Sequence, residues 1–204
     1  MYVSLLIAVL ALSVSHIVVV GQIVWKNRLR GWDGTAICLI SVDGVDCPIK
    51  EPYPFDKGIF SEKLNGPGYK YEVGVCIKTG AIVWVNDPFK AGKHDSTIFK
   101  EDGLKDTLCD DECIEVDAGY QGDDKFKNPN ISQSRTDRKE KSRVRGRHEI
   151  VNSYFKKFSV LDNVFHHKLM EKHQMCFDAV AVITQLHFEF HGHLYDVEYN
   201  AQYD

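Results

Sequence analysis

Two short stretches, SVDGVDCPI and EVDAGYQG, each run from apolar strand-forming residues into an aspartate, Asp43 and Asp117, with glycine close behind. If the two strands are neighbours, both carboxylates project from one edge of a sheet, where α/β folds place their sites. Like charges a few ångströms apart either raise a pKa or hold a cation between them. Magnesium and manganese favour such oxygen donors and keep positions for water and phosphate oxygens. Two such ions about 3.5–4 Å apart can activate an attacking oxygen and stabilise a leaving one on a phosphodiester. A third acid commonly completes the cage, and Glu149 in RGRHEIVNSYFKKF is available on a helix. Asp46, three residues after Asp43, reads as a turn or supporting residue. Each acid also has an ordinary role. Aspartate before glycine is a common turn former, and Asp95 has the type of an N-cap. Glu149 lies opposite the Val144, Val151, Phe158 stripe, where a charge is simply solvated unless the helix enters at an angle, bent near Gly146.

The elements that must position these residues follow from periodicity and punctuation. Residues 37–42 read as a short buried strand, and the three prolines after it as a connection without helix. Residues 69–78 and 81–85 alternate around Thr79-Gly80, which predicts a hairpin. HDSTIFKEDGL begins a short helix, capped by Asp95 or Ser96. Residues 114–116 form a strand that ends on Asp117. Residues 135–158 form a long helix with Val144, Val151, Phe155 and Phe158 on its core side. A second long helix, residues 171–190, carries Met175, Val182, Leu186 and Phe190 on one side. Residues 28–36 read as loop and the C-terminal tail as short and polar. This order predicts an α/β domain, a mixed sheet covered by helices.

The chain has 204 residues, 44% of them hydrophobic and 26% charged, which suits one globular domain, alone or with an appendage. A net charge of −4 excludes a wholly basic nucleic-acid binder, so a polyanion would need a local patch. RTDRKEKSRVRGR, residues 135–147, offers one with seven Lys or Arg. Within it Arg143, Arg145 and Arg147 could hold DNA backbone without reading sequence. The run also has the composition of a solvated helix face, and of a nuclear import signal. Six scattered cysteines read as free thiols of an intracellular protein. Cys109 and Cys113, with no second pair nearby, are a weak zinc half-site. His166, His167 and His173 lack companion acids and read as surface. Residues 3–20 are nearly all apolar and KNRLR follows them. About 20 apolar residues span a bilayer, with a basic flank on the cytoplasmic side. A membrane-inserted segment, a buried helix interrupted by Ser13, Ser15 and His16, and a remnant of lost upstream coding sequence all stay open for this stretch.

The ordered series SVDGVDCPI, GYKYEVGVCIKTGAIVWV, GKHDSTIF, EVDAGYQG and RVRGRHEIVNSYFKKF, within residues 24–189, resembles the DDE nuclease domain of Harbinger-type transposases and their domesticated nuclease relatives. The resemblance implies a ribonuclease H-like α/β fold over residues 24–190, with the apolar segment 1–23 ahead and a polar tail, 191–204, behind. It implies that Asp43, Asp117 and Glu149 are the catalytic triad and the ligands of two Mg²⁺ or Mn²⁺ ions. The family's HD falls on His94-Asp95, outside the triad, so Asp46, His94 and Asp95 are secondary candidates. The implied reaction is hydrolysis or strand transfer at a DNA phosphodiester, in the nucleus. Relatives that cut at chosen sequences carry a helical DNA-binding region ahead of this domain. Only about 40 residues precede Asp43 and no helix-turn-helix pattern is visible in them. An N-terminally truncated member is implied, its target recognition supplied by a separate DNA-binding protein. The alternative is a non-catalytic domesticated or degenerate domain that binds DNA or protein, membrane-anchored if residues 3–20 insert.

Overall fold

The computed structural model describes residues 23–29, 38–101, 103–127, 135–191 and 194–197. Among these, a mixed sheet is assembled from β1 (Cys38–Pro48), β2 (Phe60–Ser61), β3 (Gly66–Cys76), β4 (Ile82–Val85), β5 (Phe89–Lys90), β6 (Cys113–Glu115) and β7 (Phe126–Lys127). The helices are α1 (Asp95–Glu101), α2 (Leu104–Thr107), α3 (Arg135–Lys156), α4 (Ser159–Asp162) and α5 (Met170–His191). β1 occupies the middle. It pairs antiparallel with β3 on one side and parallel with β6 on the other, and β7 continues parallel beyond β6. β2, β5 and β4 pair in turn along the outer edge of β3. The result is an α/β architecture of ribonuclease H-like form.

The alternation of β1 decides what each sheet face holds. Val45, Cys47 and Ile49 point to a core shared with Val151 and Phe155 of α3 and with Phe177, Val180 and Phe188 of α5. Ile40 and Val42 point the other way, to Phe99 of α1, Leu104 of α2, and Ile114, Tyr120 and Phe126. A central strand buried on both faces reads as a continuous apolar run rather than an alternating one, and Cys38 to Val42 is such a run.

The strand does not stop at Val42. It continues through Asp43, Gly44 and Asp46 to Pro48, paired all the way with Gly68 to Cys76 of β3. Asp and Gly are poor strand formers, but the register with β3 overrides that preference. Asp46 is therefore not a turn residue. It is a buried strand residue, and its position three after Asp43 puts it on the opposite face. The hairpin forms as expected, with Gly80 at φ +74° in the turn. The proline-rich connection contains only a 3-10 turn, Lys57–Ile59. Arg28 is not in a loop: it lies in a 3-10 helix, Trp25–Leu29, buried against Glu112 at 2.8 Å.

α3 buries Val144, Val151 and Phe155 as predicted. α5 does not bury the predicted side, because Met175 and Phe190 are exposed while Cys176, Phe177, Val180, Ala181 and Phe188 are buried. That helix is apolar on most of its circumference, so the pattern alone offered two stripes. The tail is not merely polar: Val197 is buried beside Val144 and Cys38. Among the described residues no helix is long and apolar enough to cross a membrane, and residues 3–20 lie outside them.

His173 is also not a surface residue. It is fully buried, accepts or donates at 2.7 Å with the Tyr71 hydroxyl, and packs edge-on to Phe165. Burial, with a smaller push from Lys156, takes its pKa down to about 4 from an ordinary 6.5. A folded-state pKa below the unfolded one means stability that is full above the unfolded value and is lost as pH falls toward the folded one. The chain is expected to lose about 2 kcal/mol from this group between roughly pH 7 and pH 5. Urea unfolding of wild type and His173→Phe at both values checks this; parallel losses in the two proteins would rule it out.

Candidate active site

Asp43 sits mid-strand on the α3 face of the sheet. Its Oδ1 accepts from the Gly44 N–H at 2.8 Å, and its Oδ2 accepts from Asn152 Nδ2 of α3 at 3.0 Å. Both contacts fix its rotamer. Asp117 lies two residues past the end of β6, and its Oδ1 accepts the Gly119 N–H at 2.8 Å. This is an Asx-type turn, so turn-forming and site placement are the same conformation. Because β6 runs parallel to β1, it delivers Asp117 along the direction in which β1 delivers Asp43.

Glu149 comes from α3. The buried residues Val144, Arg147, His148, Val151 and Phe155 define the packed side of that helix. Arg145, Glu149, Asn152 and Lys156 follow one another at helical spacing along its flank. Asn152 bonds Asp43, and Lys156 Nζ donates to the Asp46 carbonyl. The flank, not the side opposite the core, is thus what meets the strands. Gly146 is a point of close approach: a Cβ there would lie 2.6 Å from the Tyr195 hydroxyl, which donates to the Arg143 carbonyl at 2.7 Å.

Asp43, Asp117 and Glu149 line one cleft of about 110 Å³, together with Ser41, Glu115, Arg145 and His148. Among the described residues no three His, Cys, Asp or Glu side chains stand close enough to clasp a metal ion as they are. The donor set still fits a hard divalent cation: three carboxylates from three separate elements, two of them fixed by N–H donors, around a cleft open to solvent.

The remaining candidates separate. Asp95 lies under the opposite face of β1, where its Oδ1 pairs with Lys70 Nζ at 2.9 Å instead of capping its own helix. Gly44 makes room for it, since a Cβ at that position would stand 3.0 Å from the Asp95 carboxylate. His94 is exposed, and its carbonyl accepts the Thr97 and Ile98 N–H groups at the start of α1. Asp46 receives the Ser61 hydroxyl. The basic run is not one ridge. Arg145 is in the cleft, while Arg143 Nη2 donates to the Asp196 carbonyl at 2.6 Å. Arg147 is corrected outright as a DNA contact: it is 2% exposed, and donates to the carbonyls of Ile77 and Tyr195.

Several residues of the site carried no isolated signal in the sequence. Asn152 is one, although it follows Glu149 by three residues on the helix. His148 is another: it is buried, its Nδ1 is 3.1 Å from the Ser41 hydroxyl, and burial lowers its pKa against the opposing field of Asp43. A third case is Glu115, buried in the cleft wall and paired with Lys141 at 3.2 Å.

No match was found among curated proteins, nor among solved structures. A protein-family model for the DDE superfamily endonucleases matches residues 42–185, a span that holds both aspartates, Glu149 and every strand from β2 to β7. With that match covering well over half of the chain, the protein belongs to the DDE superfamily endonucleases.

Proposed function

We propose that the chain is a metal-dependent DNA nuclease of the Asp-Asp-Glu type, with Asp43, Asp117 and Glu149 as its acids. The observation that carries this reading is the shared cleft: three carboxylates, distant in sequence, line one opening with Arg145. Mg²⁺ or Mn²⁺ held by these acids would supply charge stabilisation at phosphorus and lower the pKa of an attacking hydroxyl.

The chain's own groups do the rest. Gly44 N–H and Asn152 hold Asp43 in one orientation, and Gly119 N–H does the same for Asp117. Arg145, exposed on the cleft wall, draws the DNA backbone by charge without reading sequence. Asp43 stands on a strand paired with β3 on one side, and Asp117 two residues past a strand paired parallel to it, so the backbone that carries both acids is tied to the sheet. An oxygen of water, or of a DNA 3′-hydroxyl, adds to phosphorus in line as the bond to the leaving oxygen breaks. No covalent enzyme intermediate is needed.

The test is direct. Incubated with Mn²⁺ and supercoiled plasmid, the full chain is expected to produce nicked circles, and a chelator stops the reaction. Titration calorimetry is expected to register Mn²⁺ binding by wild type that weakens at least about tenfold in Asp43→Ala, which deletes one ligand. A wild-type chain that binds no divalent ion would falsify the reading.

A further inference from the structure

Lys63 lies in the turn between β2 and β3, outside every segment that carries the family resemblance. Its place is built by the fold. The Ser61 hydroxyl donates to the buried Asp46 carboxylate and accepts the Leu64 N–H at 3.2 Å, which ties both ends of the turn around Lys63. Asn65 then takes φ +49° and returns the chain into β3. So fixed, Lys63 Nζ reaches the Gly44 carbonyl at 3.4 Å, the residue that follows Asp43.

The charges around that ammonium are unusual. Lys63 as a residue is exposed, and the partial desolvation of its ammonium is more than offset by the fields of Asp43, Asp46, Asp95 and Asp117, which hold its pKa above the ordinary lysine value. These four acids come from both faces of β1, from the start of α1 and from the end of β6. The ammonium sits on the carbonyl of the residue next to Asp43, held by that contact rather than clamped by a carboxylate. A lysine on a flexible four-carbon stem can swing from such a position. Arrival of a divalent cation at Asp43 and Asp117 would repel it, and a DNA phosphate entering the cleft would attract it.

We propose that Lys63 is a substrate-positioning residue of this site, which balances the Asp43 and Asp117 charges while no divalent ion is bound and engages the DNA phosphate once ions have entered. The proposal rests on the nuclease reading above. It also gives Asp46 a task that is not metal binding: Asp46 anchors the turn that presents Lys63.

The experiment compares full-length wild type, Lys63→Met and Lys63→Arg, each checked for a cooperative thermal transition. Without DNA, Lys63→Met is expected to bind Mn²⁺ at least about threefold more tightly by calorimetry, since a competing charge is gone. With supercoiled plasmid at saturating Mn²⁺, its KM is expected to rise about tenfold while kcat changes far less, the pattern of lost substrate binding. Lys63→Arg, which keeps the charge, should restore both values to near wild type. If Lys63→Met does not fold, Lys63→Gln carries the same two measurements. Unchanged Mn²⁺ affinity, unchanged KM, or a change in one without the other overturns the coupled role while leaving an active wild type a nuclease. A wild type that neither binds Mn²⁺ nor nicks DNA overturns both readings together.

Discussion

Asp117→Asn is expected to reduce Mn²⁺-dependent nicking by roughly a thousandfold or more, with little change in stability. The first half follows from charge. Asparagine has nearly the shape of aspartate but is a poor ligand for a hard cation, and loss of the ion removes several kcal/mol of transition-state stabilisation. The second half follows from the hydrogen bonds. Asp117 Oδ1 accepts only the Gly119 N–H among its described contacts, at 2.8 Å, and an asparagine carbonyl can accept the same bond. The cost to folding should stay within about 1 kcal/mol. Nicking rates over a Mn²⁺ series, paired with thermal unfolding of both proteins, make the measurement. Activity within tenfold of wild type would remove Asp117 from the site.

The second large effect concerns stability. Lys141 and Glu115 form an ion pair in which both side chains are almost completely buried, at 3% and 5% exposure. Lys141→Met removes a buried cationic partner of Glu115 in the wall of the cleft, at an expected cost of about 3–5 kcal/mol. Adding Glu115→Gln to that variant should recover part of the loss, because neutralising the buried carboxyl removes much of the desolvation penalty that Lys141 offsets. Urea unfolding of the two single variants and the double variant closes the cycle. A double variant no more stable than Lys141→Met would show that the pair does not account for the loss. The pair ties α3, which carries Glu149, to β6, which leads into Asp117, so the single variant should also nick more slowly at temperatures where it is still folded.

What could be read in the sequence was local. The β3–β4 hairpin was legible because alternation flanks Gly80, and α3 because Val144, Val151 and Phe155 keep helical spacing. Asp43 and Asp117 stood out because each follows an apolar run. The failures share a cause. In the sequence β1 ends at Val42 because Asp and Gly are poor strand formers, and the partner that overrides them, Gly68 to Cys76, is remote along the chain. The buried side of α5 is not legible because Cys176 to Ile183 is apolar nearly all round. Arg147 and Lys141 read as part of a basic surface because residue type reports charge and not burial; what they meet, the Tyr195 and Ile77 carbonyls and Glu115, lies far along the chain. His173 reads as surface in the sequence for the same reason, and Tyr71 and Phe165, which enclose it, are remote in sequence or invisible by type. Lys63 and Asn152 had no signal of their own, since each matters only through the acid it approaches.

One feature of β1 sets how this protein can change over generations. Asp43 and Asp46 are an odd number of residues apart on an unbroken strand, one facing α3 and the other anchoring the turn of Lys63. Side chains can be exchanged along such a strand with modest effect. The loss or gain of a single codon cannot be absorbed the same way, because every residue beyond it turns to the other side of the sheet. A codon deleted between the two acids would turn one of them away from its partner, whichever end of the strand held its register. Libraries of point variants should therefore yield many active clones in this segment, and libraries of single-codon deletions almost none.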